Sequence, residues 1–401
     1  MSSHWTHRTI AHGTTLLLAA AGLLVGCDRE DEPTAPTAAE QMQQDAAQTH
    51  EGMDVTRLIP ATVELSAPMA CGPFTVYDQE DVQTLCSPTT LAATPITSPN
   101  CPQEASGSVR LETDLLCLET SGLIVTSDNT VIDLNGHRIV CQGTGYAGSC
   151  QGRAPPAEFD DQRGIDTNGH DNAHIFSHLA GGTIDGFDQG VHVRRGSGNV
   201  KVKQLVITGP PATSGPRSGI TRAVFVDGVT CGDGTVRIGG GASTGNDVSN
   251  HHRGIEAFQS SCVYLGYNWV HDNQGGGSGN GVGGIFITSS FDSHIRSNFV
   301  TTNGDGDRNL DAGIRLSDLP STGNLVVENQ ANENNPYGVR TAVFAADNYI
   351  VNNQMLGNRE FDAFSDQLSV NRWNENNRCI TQTTPEPPPG VCSLEDTPPP
   401  Q

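Results

Sequence analysis

Seven positions in this chain combine chemically capable side chains with a fixed spacing. Each lies two residues after a glycine that is followed by Ile or Val: Asp166, His192, Thr221, Glu256, Phe286, Arg315 and Arg340. His251, His252, Arg253, Asp311 and Tyr337 stand just ahead of the same positions. Two chemistries fit these residue types. Arg315 and Arg340 can act as a cationic clamp that neutralises a carboxylate. That acidifies the neighbouring carbon proton, which His252 or Tyr337 would remove or return as base or acid. Glu256 with Asp311 would supply the carboxylate pair that acid–base hydrolysis requires. Phe286 offers a stacking platform, with His192 and Arg253 as further binding groups. A plain alternative stands against both, since a solvent-facing column of mixed charge is what solubility alone requires.

Metal chemistry has two weaker footholds. Asn303, Asp305, Asp307, Asn309 and Asp311 alternate along one segment, giving oxygen ligands at a spacing that suits calcium. The sixth position of that run is Arg308 rather than the glycine a helix–loop–helix calcium site needs, so a satisfied polar turn competes with the calcium reading. Calcium is the one cofactor the sequence suggests. His170, His174 and His178 recur every fourth residue, which would align them on a helix and scatter them along a coil of strands. Copper has little support, because neither His nor Met is clustered. No CxxC pair occurs among the 11 cysteines, so disulfides are favoured over zinc. Spacing leaves connectivity open. Nearest-neighbour pairing would join Cys71 to Cys86, Cys101 to Cys117, Cys141 to Cys150 and Cys379 to Cys392, with Cys231 and Cys262 on adjacent coils.

The elements that must carry these residues are set by two repeats. Gly followed by Ile or Val recurs at Gly164, Gly190, Gly219, Gly254, Gly284, Gly313 and Gly338, at intervals of 26, 29, 35, 30, 29 and 25 residues. Each glycine would let the backbone turn into a strand whose β-branched residue faces inward. A second pattern places Asn five residues after Asn, at Asn268–Asn273, Asn298–Asn303, Asn329–Asn334, Asn353–Asn358 and Asn371–Asn376. Of 27 asparagines, 21 lie at or after Asn246, where stacked side-chain amides would form ladders along an axis. Two periods in phase indicate a solenoid, and the interval is too short for a propeller blade of about 40–45 residues. Composition agrees: Gly 46 and only 35% apolar residues suit a thin core repeated coil by coil rather than a thick one. Segments longer than the basic coil, at 240–253, 273–283 and 303–312, would wall a groove over the outward column.

The formal charge of −23 argues against nucleic acid as a partner, which needs a basic footprint. The start of the chain reads as an address. His4, His7 and Arg8 precede the apolar run Leu16 to Val25, too short to span a bilayer as a helix. Leu24-Val25-Gly26-Cys27 resembles the bacterial lipobox, which implies export and lipidation of Cys27. The expected organisation is a signal peptide at 1–26 and a flexible tether rich in Asp, Glu, Ala and Pro at 27–66. A cysteine-rich N-terminal cap would follow at 67–121, the coil at 122–378 and a short C-terminal cap at 379–401. The expected product is a monomer held on a membrane by its lipid, in the periplasm or at the cell surface.

Asn129-Thr-Val-Ile-Asp-Leu-Asn-Gly-His137 and Gly182-Thr-Ile-Asp-Gly-Phe-Asp-Gln-Gly-Val191 resemble the pectate-lyase-like superfamily. They are most similar to the broad bacterial group that includes periplasmic β-helix proteins assisting copper-site assembly. Asp114-Leu-Leu-Cys117 leading to Gly122-Leu-Ile-Val125 matches the usual entry of that group. The resemblance implies an all-β, single-stranded right-handed parallel β-helix of roughly 8–10 coils. It also implies a polysaccharide as partner, with Arg315, Arg340, His252 and Tyr337 as a uronate lyase set. Glu256 and Asp311 would be a hydrolase pair roughly 9–10 Å apart, at the outer limit for inversion. The chain lacks the Asn-Thr-Asp, Gly-His-Gly and Arg-Ile-Lys sequences of polygalacturonases and the Asp-Pro-His-Asp of alginate epimerases. Two functions are therefore carried forward: a carbohydrate-binding or carbohydrate-processing β-helix, and a non-catalytic scaffold or assembly protein.

Overall fold

The computed structural model describes residues 93–151, 162–210, 220–241, 244–274, 283–304, 311–317, 320–365, 371–373 and 376–379. The chain divides into two units, Met1–Met69 and Ala70–Gln401, and every described residue belongs to the second. The signal peptide, Cys27, the tether, Cys71, Cys86, Cys392 and the calcium candidates Asp305, Asp307 and Asn309 lie outside the described residues.

Three long sheets run the length of the coil, and every pairing within them is parallel. We call them sheet one (eleven strands, from Thr94–Ile96 to Arg372–Trp373), sheet two (ten strands, from Leu115–Leu118 to Arg378–Cys379) and sheet three (ten strands, from Gln103–Ala105 to Phe361–Ser365). The chain visits them in the order three, one, two. One coil shows the pattern: Arg253–Phe258 in sheet three, Val263–Gly266 in sheet one, Trp269–His271 in sheet two, then Gly283–Thr288 back in sheet three. The first strands, from Thr94 onward, already belong to these sheets. The coil therefore begins inside the 67–121 segment expected as a cap.

Alternation along each short strand sends at least one aliphatic residue inward per coil and per sheet. In sheet three these are Ile165, Val191, Val224, Ile255, Ile285, Ile314 and Val339, all with no exposed surface. Ile175, Val202, Ile238, Leu265, Ile295 and Val326 do the same from sheet one, and Ile184, Ile207, Val248, Val270 and Val300 from sheet two. Burial of each such side chain contributes about 1.5–3 kcal/mol, which is how a chain poor in apolar residues sustains a continuous core.

The repeated glycines have a different cause from the expected one. None of those described has a positive φ. What excludes a side chain is space: a Cβ at Gly284 would sit 2.5 Å from Val300 Cγ1 and 2.7 Å from the Gly313 carbonyl, and Gly254 and Gly313 are hemmed in the same way. Because the glycine and the residue after it both turn inward, the residue before the glycine faces outward.

Asparagine ladders run as expected. Asn246, Asn268, Asn298, Asn329 and Asn353 each pass an Nδ2–H to the next Oδ1, at 3.0, 3.0, 3.0, 3.0 and 3.1 Å, and the ladder ends on Asn377. A second ladder joins Asn273, Asn303, Asn334 and Asn358 and ends on Asp362. The pair Asn371–Asn376 does not repeat the others: Asn371 closes a third ladder with Asn324 and Asn348, and Asn377 is the next rung after Asn353. The residue before many rungs (Tyr267, Ser297, Glu328 and Asn352) takes a left-handed φ to make the corner. The following amide then caps carbonyls that the corner would leave bare. Disulfides join Cys101 to Cys117, Cys141 to Cys150 and Cys231 to Cys262, and Cys379 is also disulfide-bonded.

Candidate functional site on the outer face of sheet three

Strand register decides which outward residues are neighbours. One column runs Asp166, His192, Phe225, Glu256, Phe286, Arg315, Arg340, Phe364. Six of the seven expected members are present. Thr221 is not; Phe225 takes its place. The strand of this coil starts at Arg222 rather than at the Gly219-Ile220 pair, with Val224 and Val226 buried in the inward positions and Ile220 only half-buried. Thr221 instead accepts a hydrogen bond from the His252 amide.

A second outward column, one residue before each glycine position, runs Arg163, Gln189, Arg222, Arg253, Gly283, Ala312, Tyr337, Phe361. Arg253 and Tyr337 were singled out from the sequence, whereas Arg163, Arg222 and Phe361 were not. The available signal was an arginine directly ahead of the small residue in Arg163-Gly164, Arg222-Ala223 and Arg253-Gly254.

The two columns interlock. Arg222 Nε and Arg253 Nη1 both donate to the Glu256 carboxylate. Asp166 receives Arg163 Nη1 at 3.3 Å and Arg194 Nη2 at 2.7 Å. Guanidinium groups lie over rings at 4.2 Å for Arg222 on Phe225, 4.7 Å for Arg253 on Phe286 and 5.6 Å for Arg315 on Phe286. Arg340 lies 5.4 Å from the rings of both Tyr337 and Phe364, and Tyr337 stacks on Phe361 and Phe364. Such contacts, shielded from water, stabilise the cation more than exposed ones do.

The face is not the solvated column that solubility would produce. Glu256 and Phe286 are 1% exposed and Arg315 3%. Asp311, His251 and His252 are fully buried, with His251 Nδ1 against the Ser249 carbonyl. Glu256 is committed to two arginines, and Asp311 stands ahead of the strand two coils away, so the structure does not present them as a free carboxylate pair. On the earlier coils the Arg194 side chain is 33% exposed and that of Asp227 38%.

His192, itself 5% exposed, lies on these coils. Its ring stacks on Phe225 with centroids 5.2 Å apart, and its Nε2 is 4.0 Å from Asp227 Oδ2. Both ring nitrogens are buried without a hydrogen-bond partner. Burial, reinforced by the charges of Arg163, Arg194 and Arg222, lowers its pKa to about 3, so the ring is neutral at physiological pH. Burial also raises the Asp227 carboxyl above its usual range.

A family described as periplasmic copper-binding protein (NosD) matches residues 188–385, just under half of the chain. The chain is a right-handed parallel β-helix protein. Solved β-helix structures similar to it include the periplasmic alginate epimerase AlgG, 13% identical over 75% of this chain and 82% of that one, with a TM-score of 0.31. The tailspike protein of E. coli bacteriophage HK620, solved with a pentasaccharide, is 10% identical over 69% of this chain and 55% of its own, with a TM-score of 0.39. No curated protein matches the sequence.

A copper site would need converging nitrogen, sulfur or carboxylate donors. Among the described residues no three His, Cys, Asp or Glu side chains converge on a point that would hold a metal. His170 and His178 are engaged separately with Asp128 and Asp133, and the only described methionine, Met355, is buried in the core. The described coils do not fit a copper site.

Proposed function

We propose that this protein is an exported, lipid-anchored β-helix that binds an anionic polysaccharide on the outer face of sheet three, at the end formed by His192, Arg194, Arg222 and Asp227. The observation that carries this reading is the neutral His192 ring, which has one donor and one acceptor unused among arginines. A uronate residue presents the complement: a carboxylate for the guanidinium groups and hydroxyls for the imidazole and Asp227. Phe225 adds an aromatic surface. Arg315, Arg340 and Tyr337 are packed among rings on later coils. Binding is favoured over hydrolysis because Glu256 is held by Arg222 and Arg253. The test is a panel of uronate and neutral oligosaccharides offered to the purified protein, with and without calcium. Saturable binding of uronates supports the reading, and no binding or turnover across the panel refutes it.

The match to a periplasmic copper-binding family favours a second reading, a periplasmic assembly protein that holds a partner on its long face. Capture of a protein partner with no glycan binding would select it.

A further inference from the structure

Trp269 is 40% exposed and stands within a column on the outer face of sheet two. Register runs that column Asp247, Trp269, Phe299, Gln330, Gln354, one residue per coil. Consecutive strands lie about 4.8 Å apart, so the five positions span about 19 Å. Val248, Val270, Val300 and Ala331 beside them have no exposed surface, which sends the column outward. Phe299, Gln330 and Gln354 are half-buried.

The indole is held in place. His271 stacks on it with ring centroids 4.0 Å apart. That imidazole is fixed from both sides, by Asp247 at 2.9 Å and Asp272 at 2.8 Å, and Thr302 on the next coil donates to Asp272 at 2.8 Å. Keeping a large ring rigid and partly in water forgoes the gain of burying it, and a pre-set tryptophan is a strong anchor for a ligand. Beside it lies unused hydrogen-bonding capacity. Among the described residues the Trp269 indole N–H and the side-chain amides of Gln330 and Gln354 have no hydrogen-bond partner, whereas Asn329 and Asn353, one residue earlier, are fully engaged.

Charge narrows the ligand. Burial lowers the His271 pKa, but its bonds to Asp247 and Asp272 outweigh that and raise it. One imidazolium therefore faces two carboxylates, and the patch is net negative. Neither this column nor its neighbour (Ser249, His271, Thr301, Asn332) contains Lys or Arg. A uronate is disfavoured here, in contrast to sheet three.

We propose that Trp269, Phe299, Gln330 and Gln354 bind a neutral oligosaccharide of N-acetylamino sugars, lying along sheet two and independent of the sheet-three site. An acetamido group matches these residues: its C=O accepts from the indole or a glutamine N–H, its N–H donates to a glutamine Oε1, and its methyl packs on the rings. Sugar hydroxyls can donate to Asp247 Oδ2, the oxygen that His271 leaves unused.

The test is calorimetric titration of the full chain with a tetramer of N-acetylglucosamine, against a glucose tetramer of the same linkage. Expected is saturable binding of the acetylated tetramer, with the glucose tetramer bound about tenfold or more weakly. Trp269→Ala should weaken binding by about tenfold or more. Trp269→Phe keeps a ring and should retain most of the binding, which guards against a folding artefact. Arg296→Gln, on sheet one, should leave it unchanged. Because the probe carries no carboxylate, the result is independent of uronate binding on sheet three. The proposal is overturned if the acetylated tetramer does not bind, if the two tetramers bind equally, if Trp269→Ala binds like the parent protein, or if Trp269→Phe falls as low as Trp269→Ala.

Discussion

Replacing Asn298 by Ala tests whether the amide ladder carries the stability of the coil. Asn298 is 1% exposed. Its Nδ2 donates to the Leu265 carbonyl at 2.8 Å, the Arg296 carbonyl at 3.1 Å and Asn329 Oδ1 at 3.0 Å. Its Oδ1 accepts from the Asn268 amide and the Asn268 side chain, both at 3.0 Å. Each lost hydrogen bond costs about 1 kcal/mol net, and a buried donor left without a partner costs about 1–3 kcal/mol. Asn298→Ala strands the Asn268 amide as well as its side chain, so the expected loss is about 3–5 kcal/mol. Asn246, the first rung, provides the internal comparison. It accepts only from the Leu205 amide at 3.2 Å and donates to the Val202 carbonyl and to Asn268 Oδ1, both at 3.0 Å; with three side-chain bonds against five, Asn246→Ala should cost about two-thirds as much. Urea titrations followed by far-ultraviolet circular dichroism would measure both. A loss below about 1 kcal/mol for Asn298→Ala, or one no larger than for Asn246→Ala, would refute the reasoning.

Three further outcomes are expected. Gly284→Ala should lower stability by about 1–3 kcal/mol, since the added carbon meets Val300 Cγ1 at 2.5 Å; an unchanged thermal midpoint would show that the site has room. Glu256→Gln should cost about 3–5 kcal/mol by leaving Arg222 and Arg253 without their shared counter-charge, and a neutral result in denaturant titration would deny the pairing any structural role. The folded pKa of His192, about 3, lies below its unfolded value of 6.5. The unfolded chain therefore binds the extra proton between these values, and stability falls as pH drops through that window. This residue's share is about 2 kcal/mol near pH 5. Imidazole resonances that stay neutral down to about pH 4 would support this, and a midpoint near 6.5 would contradict it.

Much of the fold was legible because its constraints are local and repeated. Gly-Ile and Gly-Val mark places where a coil has no room for a Cβ, and the asparagines mark corners whose carbonyls need a side-chain donor. Both show in a single sequence. The register slip at Gly219 shows the limit: Ala223 occupies a position that glycine holds in Gly190 and Gly254, so the motif is absent from the coil where it was needed. Arg222 and Phe225, both at the candidate site, were missed for that reason. The early strands from Thr94 escaped notice because most are three or four residues long, and the described ladders begin only at Asn246. Burial of Glu256 and Arg315 was not legible either, since alternation along a strand tells outward from inward but not covered from open.

The early coils of sheet three are proposed to hold an anionic sugar between arginines and a neutral histidine. Calorimetric titration with a uronate tetrasaccharide tests it most directly, comparing the parent protein with Arg194→Gln and His192→Ala. Saturable binding to the parent is expected, weakened about tenfold or more by either substitution, with a neutral tetrasaccharide of equal length bound poorly. Equal binding of the charged and neutral sugars, or uronate binding indifferent to both substitutions, would contradict the account.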